Sequence, residues 1–263
     1  MAKKEKEVYV ELKGILGNAE DYHVYHMTRR DYVIARLLGF LLGAVVVYAF
    51  FRSLLFTLAA GVIAAFKAPE YYNTYKKKAR LKQLREQFKE LLESLASSYS
   101  AGKNTVDAFT DAREDLISIY GQEGDMVKEL KIICSGLHNN INIEDLLLDL
   151  GKRSGLEDVI SFAHVFEVCN RQGSDLRRVV SETREILNDK IEVEMEIETM
   201  LSGNKNELYI MMVMPVVVVL SLSAMGTMSI VSNSPVNVLV KLVCIGIFGG
   251  AYLMGRKIID IRI

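Results

Sequence analysis

The chain has 263 residues, of which 50% are hydrophobic and 25% are charged, and its formal net charge is −1. It is too apolar for an average soluble domain, yet a quarter of it is charged, so the two kinds of residue must be separated along the chain. Apolar runs near residues 33–68 and 208–255 enclose a charged block. Only this block could fold as a water-soluble unit.

The first apolar region, residues 33–68, is expected to form two transmembrane helices. It follows a polar cytoplasmic segment, residues 1–32, in which no cleavable signal peptide is expected. One straight helix across the region would be about 54 Å long, against a hydrocarbon core of about 30 Å, and would carry Arg52 near its middle. A tight helical hairpin that turns at Arg52-Ser53 avoids both problems.

A basic strip follows this region. Residues 76–89 hold seven Lys and Arg against one acid, whereas residues 90–206 hold 23 Asp and Glu against 12 Lys and Arg. The acidic excess does not fit a nucleic-acid-binding protein, which would show a basic face. The strip is predicted to fix the topology by the positive-inside rule or to bind anionic lipid headgroups. The residues assigned to this role are Lys76, Lys77, Lys78, Arg80, Lys82 and Arg85.

The charged block, residues 69–206, is predicted to be a cytoplasmic domain of six helices without strand pairing. Apolar side chains recur at three- and four-residue spacings along it, which is the helical period. The first helix is expected to stop near Gly102. The second is expected to begin at Asn104 or Thr105, because either side chain can cap a helix.

Two later turns divide the rest of the block. His138-Asn139-Asn140 predicts a turn, because asparagine tolerates the left-handed backbone conformation. Gln172-Gly173 ends the fifth helix, and Ser174 is expected to cap a long sixth helix that ends near Gly203.

Residues 191–198 alternate between apolar and acidic side chains, as a half-buried strand would. A helix is nevertheless preferred, because the periodic run from Leu176 continues into this stretch without a breaker and a solitary strand would leave its backbone unpaired. The acidic residues are interpreted either as a solvated face or as a docking patch for a basic partner or an ATPase. They are Glu192, Glu194, Glu196 and Glu198.

The second apolar region is predicted to form another pair of transmembrane helices. The third helix has no charge after Glu207, and its Pro215 can be tolerated by neighbouring helices. The positive-inside rule puts the uncharged connection outside and the basic tail in the cytoplasm. The third helix, the external turn, the fourth helix and the tail are assigned to residues 207–228, 229–235, 236–255 and 256–263. The predicted fold is an all-α membrane protein with two transmembrane hairpins and both termini cytoplasmic.

No residue pattern predicts an enzyme, a metal site or a cofactor. Residues 101–105 match a phosphate-binding loop only in part, because the first glycine and the Ser or Thr after Lys103 are missing. The four histidines lack metal-ligand partners at useful spacing, and the three cysteines are widely spaced. Three charged residues in the predicted spans, Arg36, Arg52 and Lys241, lie near span ends, where long side chains usually reach the interface.

Several short motifs follow one another along the block. They are Phe88–Ala96, Ser100–Gly102, Ala108-Phe109, Ile143–Leu147, Phe162 and Gln172–Leu176. In this order, between two membrane pairs, they resemble the type II secretion system F domain over about residues 25–255. The family's mid-domain glycine is replaced around Asn139-Asn140, and Ser174 stands where a second glycine is frequent. The family-motif turns fall at Gly102, Asn139, Asn140, Gly173 and Ser174.

A single copy of the domain is similar to the tight adherence (Tad) pilus branch of that family. The resemblance implies a platform protein in the plasma (inner) membrane, which couples a separate cytoplasmic secretion ATPase to pilin extraction for a pilus or a type II secretion pseudopilus. The implied partners are this ATPase, pilin subunits, copies of the chain or a paralogous platform protein, and the lipid bilayer. The alternative class is a small four-span transporter or channel component, which acids inside the spans would favour; the predicted spans hold none beyond Glu207, the first residue of the third.

Overall fold

A computed structural model describes residues 11–17, 19–51, 54–172 and 176–224, together with residues 243, 246, 249–250 and 254–255. Within this part of the chain the structure has seven α-helices and no strand. In chain order the helices are α1 (Arg29–Phe51), α2 (Leu54–Ser100), α3 (Thr105–Tyr120), α4 (Asp125–His138), α5 (Ile143–Ser154), α6 (Glu157–Gln172) and α7 (Leu176–Ala224). The predicted all-helical class is confirmed for the described residues.

Two of these helices are long and apolar enough to cross a membrane. They are α1, over Arg29–Ala49, and α2. The described part of α1 ends at Phe51 and that of α2 begins at Leu54, on either side of the position where the sequence predicts the turn of a hairpin. Arg52 and Ser53 themselves lie outside the described residues, as do the external turn at 229–235 and most of the predicted fourth span.

Small residues bring α1 close to the first part of α2. A methyl group added at Gly43 would lie 2.7 Å from the Cβ atom of Ala64, and one added at Gly39 would collide with the Cβ atom of Ala68. Gly39 is paired with Ala68, and Gly43, one turn later in α1, is paired with Ala64, one turn earlier in α2. The two segments are therefore antiparallel. Helices with small residues at the contact approach closely and gain van der Waals packing, which is a common arrangement of helices in membranes.

Replacing Gly43 with leucine is expected to separate α1 from α2. The new side chain would have to displace Ala64 and the carbonyl oxygen of Ala60, which lies 3.2 Å from the position of its Cβ atom. Overpacking of this kind costs about 1–3 kcal/mol. The measurement is the thermal unfolding of the full chain in detergent. Gly203→Leu is the matched control, because nothing lies within 4 Å of its Cβ position; equal melting temperatures for the two variants would contradict the contact.

The chain divides into two compact units. The helical unit comprises Asn73–Glu192 and the described residues of Met1–His26, and the apolar unit comprises Met27–Tyr72 and the described residues of Val193–Ile263. The backbone passes between the units three times, after His26, after Tyr72 and after Glu192. The second passage lies inside α2 and the third lies inside α7.

The six helices predicted for the charged block are present in the predicted order, but two of them are longer than expected. The first is the continuation of α2, which begins at Leu54. The expectation that the sixth ends near Gly203 is wrong, because α7 continues to Ala224. A single glycine costs only about 1 kcal/mol inside a helix, so it does not by itself stop a helix with favourable flanking residues.

The core of the helical unit is built from leucines and four phenylalanines. The ring of Phe88 on α2 meets that of Phe162 on α6 edge to face, with centroids 5.7 Å apart, and Phe109 on α3 meets Phe166 on α6 in the same way at 6.5 Å. All four side chains are fully buried. The motif residues Phe88, Phe109 and Phe162 are therefore core residues that join α2, α3 and α6.

The turns between these helices follow local backbone chemistry. Asn104 caps α3, since its side-chain oxygen accepts the backbone N–H of Asp107 at 2.9 Å. Gly102 and Asn140 have left-handed φ values of 78° and 59°, as glycine and asparagine tolerate. The turn predicted at Asn139-Asn140 is confirmed, whereas Gly173 and Ser174 lie outside the described residues.

Candidate functional site

The segment that precedes α1 is bound to the helical unit, and residues 19–26 are called the strap here. Its central residue is Tyr22, whose side chain lies in the hydrophobic core and is only 3% exposed. The backbone N–H of Tyr22 donates to the carbonyl oxygen of Arg153 at 3.1 Å. Its hydroxyl donates to Oε1 of Glu129 at 2.9 Å. The sequence predicted only a polar cytoplasmic segment at this position.

The strap closes over a buried ion pair between α4 and α5. Arg153 donates from Nη1 to Oε1 of Glu129 at 2.8 Å and from Nη2 to Oε2 at 2.6 Å, and both side chains are 2% exposed. Two further donors of Arg153 reach Oδ2 of Asp149 at 2.8 Å and the carbonyl oxygen of Glu20 at 2.9 Å. Such a pair is stable only if its hydrogen bonds are satisfied, and here the strap supplies one of them.

Burial and the neighbouring charges shift the pKa of Arg153 in opposite directions. Burial alone lowers the pKa of the Arg153 guanidinium, but its hydrogen bonds to Glu129 and the charge of that carboxylate outweigh burial, so the pKa is raised. Burial, together with the charge of Glu129, raises the pKa of the Tyr22 phenol. Arginine thus stays charged and tyrosine stays protonated, which keeps the phenol a donor to Glu129.

A second arginine holds the strap from α2. The guanidinium of Arg80 donates to both carboxylate oxygens of Asp125, at 2.9 and 2.6 Å, and to Oε2 of Glu20 at 2.5 Å. It also lies 4.7 Å from the centre of the Tyr22 ring. The hydrogen bond to Asp125 raises the pKa of Arg80. Arginine is suited to this position, because its planar group can bind a carboxylate and stack on an aromatic ring together.

The strap is continued by a folded turn of the preceding residues. Buried Asp21 accepts the backbone N–H of Leu12 at 2.9 Å and that of His23 at 2.8 Å. Gly14 lies so close to the buried pair that an added Cβ atom would be 3.0 Å from Asp149 and 3.1 Å from Arg153. This arrangement positions no reactive group. What it can do is fix the chain immediately before α1 to the helical unit.

The basic strip is divided by the structure. Arg80 and Arg85 are turned into the helical unit, where Arg85 donates to Oδ2 of Asp158 at 2.7 Å. Lys78 and Lys82 are exposed, and Lys76 and Lys77 are half-buried. Charge counting along the sequence could not separate the two arginines from the lysines, since their acidic partners lie far along the chain. The lipid or topology role of the strip stays a prediction.

The stretch 191–198 lies inside α7, so its helical interpretation is confirmed and the strand alternative is wrong. The helix separates the four glutamates: Glu192 and Glu196 share a face, Glu198 lies on another, and Glu194 is half-buried. The face of Glu192 and Glu196 also carries exposed acids one and two turns earlier, which the sequence analysis missed. This acidic stripe consists of Glu185, Asp189, Glu192 and Glu196. Its helical spacing, i, i+4, i+7 and i+11, was the signal that could have revealed it.

The turn at Gly102 borders a polar cleft of about 320 Å³ between α2 and α3. Lys103 donates to Asp111 there, and this hydrogen bond lowers the pKa of the Asp111 carboxyl group. The lysine therefore has an acidic partner of its own, and the plain helix–turn–helix connection predicted from the sequence is confirmed. Among the described residues no group of three or more His, Cys, Asp or Glu side chains is arranged to hold a metal ion.

No family model matches the chain, and no curated protein or solved structure is detectably similar to it. What the chain does must therefore be inferred from its own residues and their geometry.

Proposed function

We propose that the chain is an inner-membrane platform protein for a tight adherence or type IV-like pilus, or for a type II secretion pseudopilus. It couples a cytoplasmic secretion ATPase to the extraction of pilin subunits from the bilayer and performs no catalysis itself. The observation that supports this most is the triple passage of the backbone between the helical and apolar units, one passage held by the strap and two inside continuous helices.

Three passages matter because force must cross from one unit to the other. A single flexible linker would absorb a displacement, since loops and linkers change conformation at little cost. Helices α2 and α7 transmit it because each is one unbroken helix, although Pro69 in α2 and Pro215 in α7 each remove one backbone hydrogen bond. The strap adds a third connection through Tyr22, Arg153 and Arg80. In the proposed layout α1 and the start of α2 form the first two spans, and α7 from Leu208 forms the third. A fourth span at 236–255 returns the chain to the cytoplasm.

The partners follow from this role. Residues 90–206 hold 23 acidic residues and only 12 basic ones, so this part of the chain is suited to bind a basic surface on a cytoplasmic protein. Glu192, Glu194, Glu196 and Glu198 are the proposed docking residues for the ATPase or another partner subunit. The transporter alternative has no such support, because residues 33–51 and 54–68 carry no Asp or Glu that could serve an ion path.

Two measurements test the platform role together. The tagged full chain, purified in mild detergent, is expected to retain its cognate secretion ATPase at low salt and to lose it at high salt, because an electrostatic contact is screened. A reporter inserted after Ile141 is expected to lie in the cytoplasm. A reporter found outside the cell would contradict the proposal, since no cytoplasmic ATPase could then reach the helical unit. Failure to recover the ATPase at low salt with an internal reporter would remove the coupling but leave the topology.

A further inference from the structure

An arginine near the start of α1 lies against two aromatic rings. The guanidinium carbon of Arg36 is 4.8 Å from the centre of the Tyr32 ring, one turn earlier on α1, and 6.0 Å from the centre of the Phe66 ring on α2. The face of an aromatic ring attracts a cation at such distances. The two rings thus hold the guanidinium at one position within the apolar unit, to which all three residues belong.

This guanidinium has no anionic partner in the described part of the chain. Arginine stays charged in proteins and has five N–H donors, and the contacts that Arg36 makes with described residues are those with the two rings. Asp31 and Glu70, the nearest acids along α1 and α2, form no ion pair with it, and Asp31 accepts the backbone N–H of Thr28 at 3.3 Å. The donors of Arg36 are therefore available to an anion from outside the chain.

The arginine and both rings are open to the surroundings of the apolar unit. Arg36 is exposed, and the side chains of Tyr32 and Phe66 are 42% and 71% exposed. In a helix pair that crosses a membrane, these surroundings are lipid and not water. A bound anion at this position would contact a cation on one side and apolar ring surface beside it.

The depth of Arg36 identifies the anion. It lies three residues inside the predicted start of the first span at residue 33, which is about 4.5 Å along a helix. The headgroup region adds about 5–7 Å to each side of the hydrocarbon core, and a long cationic side chain reaches toward it. Tyrosine is enriched at the same level. The phosphate of a phospholipid is the anion that a membrane presents there.

We propose that Arg36, held by Tyr32 and Phe66, binds the phosphate group of an anionic phospholipid. The guanidinium donates two parallel hydrogen bonds to the phosphate oxygens, a geometry that arginine matches and lysine does not. Lys67, the residue after Phe66, is exposed and has no acidic partner among the described residues, so it adds a second positive charge to this end of the span. A lipid with a net negative charge is therefore preferred to a zwitterionic one.

This lipid site is independent of the contact with the ATPase. It rests only on the part of the proposed function that places α1 and the start of α2 in the membrane, and it includes none of the glutamates of α7. It also lies outside the basic strip, which begins at Lys76. A lipid bound there holds the first helix pair at a fixed depth, directly after the strap.

The test is lipid retention by the full chain in detergent, followed by native mass spectrometry. The wild type is expected to retain phosphatidylglycerol in preference to zwitterionic phosphatidylcholine. Arg36→Gln is expected to weaken phosphatidylglycerol binding about tenfold, because hydrogen bonds to a charged group are lost. Arg30→Gln is the matched control, since it removes the same charge from an exposed arginine on α1 and is expected to change binding less than about twofold.

Two further variants separate the fork of the guanidinium from the ring contact. Arg36→Lys keeps the positive charge but loses the two parallel donors, so its binding is expected to lie between that of the wild type and that of Arg36→Gln. It also replaces Arg36→Gln if the thermal unfolding of that variant departs from wild type. Phe66→Leu keeps an apolar side chain but loses the ring, and binding is expected to weaken about threefold.

Three outcomes would overturn the proposal. Equal retention of phosphatidylglycerol by the wild type and Arg36→Gln would show that the arginine does not bind the lipid. An equal loss in Arg30→Gln would show that net charge alone attracts it. Displacement of the lipid by inorganic phosphate would assign the site to a free phosphate ion instead. Recovery of the ATPase, measured on the same preparations, is expected to be the same for Arg36→Gln as for the wild type, which separates failure of this site from failure of the platform role.

Discussion

Replacement of Arg153 by alanine is expected to destabilise the helical unit by about 3–5 kcal/mol, because the buried Glu129 carboxylate would lose its charged partner. The same change removes the hydrogen bonds to Asp149 and to the carbonyl oxygen of Glu20. The free energy of unfolding of the full chain in detergent, followed by circular dichroism, measures the effect.

Two further variants show whether the loss comes from the buried charge. Arg178→Ala removes an exposed pair with Glu182 at the same i, i+4 spacing as Arg153 and Asp149, and it is expected to cost at most about 0.5 kcal/mol. Combining Glu129→Gln with Arg153→Met removes both charges and is expected to recover much of the stability. If Arg153→Ala unfolds no more easily than Arg178→Ala, the buried pair does not have the importance assigned to it.

Replacement of Tyr22 by alanine is expected to release the strap from the helical unit. Truncation of a buried aromatic side chain costs about 3–5 kcal/mol, and this one also loses its hydrogen bond to Glu129 and its ring contact with Arg80. Proteolysis within residues 11–26, followed by mass spectrometry, is expected to become much faster, since a released segment is an accessible substrate.

The phenylalanine variant is the matched control for this experiment. Tyr22→Phe keeps the buried ring and loses only the hydroxyl, so about 1.5–3 kcal/mol is expected for the hydrogen bond to a charged acceptor. Cleavage should therefore be intermediate between wild type and Tyr22→Ala. Wild-type cleavage rates in the alanine variant would mean that the strap is held by contacts other than Tyr22.

Helical periodicity predicted the order of the helices in the charged block because it is a local property. Spacings of three and four residues place Phe88, Leu91 and Leu95 on one face wherever the rest of the chain lies. The ends of α2 and α7 were less predictable. The change from apolar to charged residues near Ala68 marks a change of surroundings for the side chains, but α2 continues through it, even though Pro69 removes one backbone hydrogen bond there.

The strap could not be predicted, because its contacts join distant parts of the sequence. Tyr22 and Glu129 are 107 residues apart, and neither lies in a pattern that points to the other. A tyrosine in a polar segment and an acid in an amphipathic helix look like surface residues until the fold brings them together. The same holds for Arg80, whose partner Asp125 is 45 residues away. The acidic stripe, by contrast, is local and was available from the spacing of Glu185, Asp189, Glu192 and Glu196.

The position of the strap ahead of α1 decides how the helical unit could be prepared in isolation. A fragment cut at Asn73 and Glu192 would leave out Tyr22, Asp21 and Glu20. Its Glu129–Arg153 pair would then face water through the opening left by the phenol. A variant that joins residues 11–26 after Glu192, the last residue of the helical unit, would restore the missing cover without any residue of the apolar unit.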